Sequence, residues 1–188
     1  MYYGLVHFPD IDTAKINRFR KKYDPTYELI NAHITVVFPV PASVGEKRLS
    51  FHIESVLKGW RAFEIHLSGF EKSWDNWLFL VLKVGSDQVI RLHDDLYQGV
   101  LEPCLRRDIE FIPHLALGFF IKKGWDYQYE APSKLPFDEE TFNSALEEAK
   151  SLELDYRCMF NKLHLVEIND DFTTFSIIRE FELKGMYK

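Results

Sequence analysis

Six residues occur twice in this chain with the same chemistry in the same order: His33-Ile34-Thr35-Val36-Val37-Phe38 and His114-Leu115-Ala116-Leu117-Gly118-Phe119. Each run is a histidine, a branched aliphatic, a small residue, an aliphatic, a variable position and a phenylalanine. Each lies in a stretch whose β-branched and aromatic content predicts a strand. Side chains alternate along a strand, so Ile34, Val36 and Phe38 should share a buried face, matched by Leu115, Leu117 and Phe119. That leaves His33, Thr35 and Val37 on an open face, and likewise His114, Ala116 and Gly118. The echo restricts the chain to folds that give two like strands like places.

The segments around the echo support this reading. A strand is predicted over Tyr2–Phe8 and a helix from about Asp10 to Lys22, with Ile16, Phe19 and Tyr23 on one stripe. The strand at Ala32–Phe38 is expected to stop at Pro39 and Pro41. Ser43-Val44-Gly45-Glu46 has capping-box spacing for a helix carrying Leu49, Ile53 and Leu57. Phe63–Phe70 and Trp77–Val84 read as a hairpin. Ser86 is placed to cap a helix with Val89, Leu92, Leu96 and Val100 on one side, ended by Pro103. Ile112–Ile121 returns to strand, an acidic helix follows from Asp138 to Leu152, and Tyr156–Ile168 and Phe172–Leu183 form a closing hairpin around Asn169-Asp170-Asp171. The longest irregular stretch, Lys122–Pro136, is the expected lid. Hairpins mixed with strand–helix units predict an α+β fold, and the absence of a linker predicts one domain over residues 1–188.

Composition narrows the function. The net charge of −6 argues against coating nucleic acid by charge alone, which needs many phosphate contacts. Residues 1–60 carry +2 and residues 61–188 carry −8. The N-terminal excess, Lys15, Arg18, Arg20, Lys21 and Lys22, reads as the solvated side of a helix. Cys104 and Cys158 are expected to be free thiols in a reducing compartment. No run of 18 apolar residues and no signal-peptide pattern occurs, so the expected location is the cytoplasm. The seven histidines have no HxxxH or HExxH spacing and the cysteines no CxxC, and there is no Gly-rich phosphate loop; neither a metal nor another cofactor is expected. His7, His52, His66, His93 and His164 have no partner motif and are read as structural, with His66 facing away from the core and His52 and His93 on polar helix sides. Trp74, Trp77, Trp125, Tyr127 and Tyr129 are assigned to core or lid packing ahead of base stacking.

Two imidazoles on opposite sides of a phosphate suffice for phosphodiester chemistry: one takes a proton from the attacking oxygen and the other protonates the leaving oxygen. An ordinary imidazole pKa of about 6.5 makes both protonation states accessible near neutral pH. Thr35, two residues after its histidine, can donate to a non-bridging phosphate oxygen.

At this point the residues resemble the two-histidine (2H) phosphoesterases, especially the bacterial 2'-5' RNA ligase and cyclic phosphodiesterase branch. His33-Ile34-Thr35 looks like the first family motif, and Phe111-Ile112-Pro113-His114-Leu115-Ala116 looks like the second with its preceding proline. Phe63–Phe70, Leu163-His164-Leu165-Val166-Glu167 and Phe181-Glu182-Leu183 are similar to other family strands. The resemblance implies a bilobal, pseudo-two-fold fold of two antiparallel sheets with outer helices around a central cleft. It implies His33 and His114 as the catalytic pair, Thr35 and the position of Ala116 as the phosphate-binding places, and Tyr3, Phe38 and Phe119 as further candidate substrate contacts. It also implies a nucleotide or RNA end with a 2',3'-cyclic phosphate or 2',5' linkage as substrate; with no interface signature and no long apolar run in the sequence, a monomer and no membrane are the default expectations. Ala116 departs from the family, which has Thr or Ser there. Lys122 or Lys123 is the expected substitute donor, and the alternative reading is a binding module that keeps the cleft and has lost turnover.

Overall fold

The computed structural model describes residues 1–122 and 135–185. Among the described residues eight strands, all paired antiparallel, run in the order β6-β3-β4-β5-β2-β1-β7-β8. Their bounds are β1 Tyr2–His7, β2 Ile34–Pro41, β3 Phe63–Lys72, β4 Trp77–Val84, β5 His114–Phe119, β6 Asp155–Phe160, β7 Lys162–Ile168 and β8 Phe175–Glu182. The helices α1 Ala14–Tyr23, α2 Glu46–Leu57, α3 Ser86–Leu96 and α4 Glu139–Ser151 complete an α+β fold.

The order divides into equivalent halves. β2-β1-β7-β8 and β5-β4-β3-β6 are the two halves, β1-α1-β2-α2 of the first repeated as β4-α3-β5-α4 in the second, with β2 and β5 innermost. The halves meet at one residue pair, Ile34 opposite Leu115. Two helices cross to the other half, α1 packing on β5 and α3 on β2. One continuous apolar core therefore takes Ile16, Phe19, Ile34, Leu92, Leu115 and Leu117 together.

The echo extends to the irregularities. Val6 pairs with Thr35 and Leu5 with Val37, so Val36 is an extra residue in β2. Phe79 pairs with Ala116 and Leu78 with Gly118, so Leu117 is the extra residue in β5. Such bulges break the alternation of a strand. Both therefore bury two successive residues, Val36 with Val37 and Leu117 with Gly118, where strict alternation puts Val37 and Gly118 on the open face. A Cβ on Gly118 would lie 2.6 Å from Tyr23 Cβ, so the glycine lets α1 close on β5.

Several boundaries differ from expectation, each for a local reason. β2 runs through Pro39 to Pro41 because past Ile34 it pairs only with β1; the missing N–H groups fall on the unpaired side. α3 bonds that side instead. Val36 O accepts from His93 Nδ1 at 2.8 Å, and Phe38 N–H donates to the Tyr97 hydroxyl at 3.0 Å. The caps of α2 and α3 are Gly45 and Gly85, at φ 85° and 81°, rather than Ser43 and Ser86. Gly85 is required twice over, since a Cβ there would meet Ile65 Cγ2 at 2.7 Å and Glu64 O at 2.8 Å. α3 ends at Leu96, and Pro103 lies inside a separate short helical turn, Gly99–Cys104. The segment expected as one strand over Tyr156–Ile168 breaks at Asn161, where the chain passes from the edge strand beside β3 to the centre of the other half. α4 is capped by Asp138, whose carboxylate accepts from Thr141 N–H.

Candidate active site

His33, immediately before β2, and His114, the first residue of β5, flank the Ile34–Leu115 pair and line one cavity of about 300 Å³. Continuing that antiparallel register sets Thr35 opposite His114 and His33 opposite Ala116. All four line the cavity.

Both rings are anchored the same way. His33 Nδ1 lies 2.8 Å from Asn31 O and His114 Nδ1 lies 2.5 Å from Ile112 O, each carbonyl two residues upstream. A carbonyl can only accept, so Nδ1 carries the proton and Nε2 is the nitrogen available to a ligand. Burial pushes both imidazoles down to about 4; the upstream carbonyls pull the other way. Arg20 lowers His33 further while Asp24 raises it, and His33 lowers His114. The Phe79 ring lies flat on His114, centroids 3.4 Å apart at 14°, which keeps water off that face and favours the neutral form. Phe8 meets His33 edge-on at 6.1 Å.

The remaining walls are mostly apolar: Ile30, Phe38, Trp77, Ile109, Ile112 and, from β8, Phe175. Trp74, 52% exposed, stands at the rim with Asp75 and Glu110. Phe38 turns into the cavity because the bulge rephases β2. Tyr3 and Phe119, the other candidate contacts, are elsewhere. Tyr3 is in the core, and Phe119 packs on Trp77 outside the cavity lining. Lys122 bonds Pro136 O through its backbone and does not line the cavity, whereas Lys123, Trp125, Tyr127, Tyr129 and most of the expected lid lie outside the described residues.

Sequence reasoning missed Phe79, Ile109, Ile112 and Phe175, and it placed Trp77 in the core. The signal for Phe79 was available, since Trp77 and Phe79 share a strand face that the β4–β5 hydrogen bonds bring against Ala116. His93, expected on a polar helix side, is buried and stacked on Phe111 at 3.9 Å. Half-buried His52 bonds Leu96 O through Nε2, closing the end of α3. His66 reaches Asp155 at 2.9 Å, away from the core. Cys104 and Cys158 are free thiols. Among the described residues no group of three or more His, Cys, Asp or Glu side chains could hold a metal, and no helix is long and apolar enough to cross a membrane.

A bilobal antiparallel fold with one anchored histidine from each half defines the two-histidine phosphoesterase class. The chain belongs to the 2'-5' RNA ligase superfamily, which it matches over residues 8–172. It is 29% identical over 121 residues to a candidate phosphoesterase of Geobacillus thermodenitrificans, covering 63% of this chain and 69% of that protein. A Bacillus licheniformis relative, also a candidate phosphoesterase, is equally similar over 62% and 70%. The fold is that of the TT0787 protein of Thermus thermophilus, at TM-score 0.61 and 16% identity over 100% of both chains. It is also that of E. coli LigT crystallised with 3'-AMP, at TM-score 0.58 and 15% identity over 97% of each.

Proposed function

We propose that the protein is a phosphodiesterase acting on 2',3'-cyclic phosphate or 2',5'-linked ends of RNA or nucleotides, with His33 and His114 as its acid–base pair. One observation carries this reading: two histidines from symmetry-equivalent strands share a cavity, each with Nδ1 committed to a carbonyl and Nε2 left for the ligand. In hydrolysis, one Nε2 takes a proton from water as its oxygen bonds to phosphorus. The other delivers a proton to the departing ribose oxygen as the old P–O bond breaks, leaving a phosphomonoester and a hydroxyl. These steps need no metal. Thr35 is the hydroxyl donor to a non-bridging oxygen. The aromatic walls suit a nucleoside, and the LigT structure holding 3'-AMP is consistent with that ligand class.

Ala116 motivates the second reading, a binding module without efficient turnover. Turnover on a panel of nucleoside 2',3'-cyclic phosphates and 2',5'-linked dinucleotides, with chelator present, separates the two. The enzyme reading requires that His33→Ala and His114→Ala each remain folded and lose about 10²–10⁴-fold in rate. Undiminished turnover in either variant overturns it, and binding without turnover in the parent favours the module.

A further inference from the structure

The most deeply buried charge of the N-terminal half is one that the sequence places on a solvated helix face. Arg20 is 2% exposed and Asp24, four residues on, is 6% exposed. Arg20 Nε donates to Asp24 Oδ2 at 2.7 Å, and its Nη2 donates to Ile30 O at 3.0 Å. The other carboxylate oxygen, Asp24 Oδ1, accepts from both the N–H and the hydroxyl of Thr26 at 2.7 Å each. Leu29 and Ile30 N–H groups donate to Thr26 O, and the guanidinium carbon lies 5.9 Å from the Tyr27 ring centre.

One ion pair thus holds both ends of the 24–30 turn. Thr26 and Ile30 are cavity wall, and the next residue, Asn31, supplies the carbonyl that orients His33. An apolar pair of similar volume would stabilise such a site at least as well as buried charges do, so the distinguishing contribution of the pair is geometric. The planar guanidinium fork reaches a carboxylate and a carbonyl at once, which an ammonium cannot reproduce.

We propose that Arg20 and Asp24 are positioning residues for His33, fixing the turn whose carbonyl sets that ring's orientation and tautomer. The proposal rests on the acid–base reading of His33 for its kinetic consequence, but its first readout needs no substrate. Imidazole ¹⁵N–¹H correlation spectra at pH 7.5 report which nitrogen of each histidine is protonated. Asp24→Asn and Arg20→Lys are expected to convert His33 from the Nδ1–H form to a tautomer mixture and to leave His114 unchanged. With a cyclic phosphate substrate, kcat should fall about tenfold or more while KM stays within about threefold, as for a displaced catalytic group. The double variant Arg20→Met/Asp24→Leu removes both charges at similar volume; it should fold and give the same His33 signature. A folded variant retaining a pure Nδ1–H His33 and parental kcat overturns the proposal. So does loss of the fold in all three, which assigns the pair to stability alone. A shifted tautomer in a protein whose parent turns over no substrate leaves the positioning intact and removes the phosphodiesterase reading instead.

Discussion

The cavity poses a proton problem that substrate itself must solve. Acid–base catalysis needs one neutral and one protonated imidazole, yet burial holds both His33 and His114 down to about 4. At pH 7 each is then protonated in about one molecule in a thousand. A phosphodiester anion about 4 Å from Nε2 interacts with an imidazolium by about 4 kcal/mol at an effective dielectric of 20. At 1.36 kcal/mol per pH unit this is a rise of about 3 units, enough to bring one histidine to about 7 in the complex. The second ring, now beside a cation, stays neutral and serves as base.

The two kinetic constants should therefore disagree. Above pH 5, kcat/KM, which reports the free protein, should fall about tenfold per pH unit, whereas kcat should hold until an alkaline break near 7. The assay is turnover of a nucleoside 2',3'-cyclic phosphate from pH 4.5 to 9, paired with imidazole ¹⁵N titration with and without a non-hydrolysable phosphorothioate. A level kcat/KM from pH 5 to 7, or free-protein titrations near 6.5, refutes the reasoning.

Ala116→Thr should raise kcat, by up to about a hundredfold if it restores the phosphate donor that a Thr35-like hydroxyl supplies, and unchanged kcat in an active parent shows that this hydroxyl is not limiting. Trp74→Ala, at an exposed rim position, should leave the melting temperature within a degree or two and raise KM for nucleotides about five- to tenfold, the loss of one base stack. Gly118→Ala forces a Cβ against Tyr23 and the Phe120 ring and should lower stability in urea by about 1–3 kcal/mol. His7, 1% exposed, is pushed down to about 4 by burial, its Nδ1 bonded to Lys162 O. The unfolded chain binds the extra proton between about 6.5 and 4, so stability present above 6.5 is lost as pH falls through that window, by about 3 kcal/mol at this residue. His7→Leu should flatten that slope by about one proton in urea titrations at successive pH values, with a lower stability at pH 7 from the unpaired carbonyl.

The parts of the fold that the sequence made legible are those governed by local pattern. The six-residue echo, the β3–β4 and β7–β8 hairpins and the buried stripes of α1 to α3 all follow from periodicity and turn chemistry. The misreadings come from tertiary context. Pro39 and Pro41 looked like strand stops because nothing local says that the far side of β2 is unpaired. Arg20 looked solvated because helix periodicity cannot reveal that Asp24 and the Ile30 carbonyl wait for it inside. Val37 and Gly118 looked like open-face residues, and Phe38 like a buried one, because alternation was assumed through bulges that only the paired register discloses. His93 was misassigned for a related reason, since its partner is a strand carbonyl 57 residues away.

That bond also explains why a cavity exists at all. Two inner strands paired along their whole length would make a continuous sheet with His33 and His114 flat on its surface. Instead β2 and β5 share a single pair and part company. Parting leaves the β2 edge with unpaired backbone groups beside an apolar core, a cost of about 1–3 kcal/mol for each one left unsatisfied. His93, in the helix that crosses over from the other half, donates to Val36 O, and Tyr97, just after that helix, accepts from Phe38 N–H, the two standing where a strand would. The exchange of helices between halves is thus what allows the sheets to diverge just past the histidines, and the bulges at Val36 and Leu117 turn the next residues into the core. Substituting His93 or Tyr97 should accordingly disturb the cavity through β2, although neither side chain lines it.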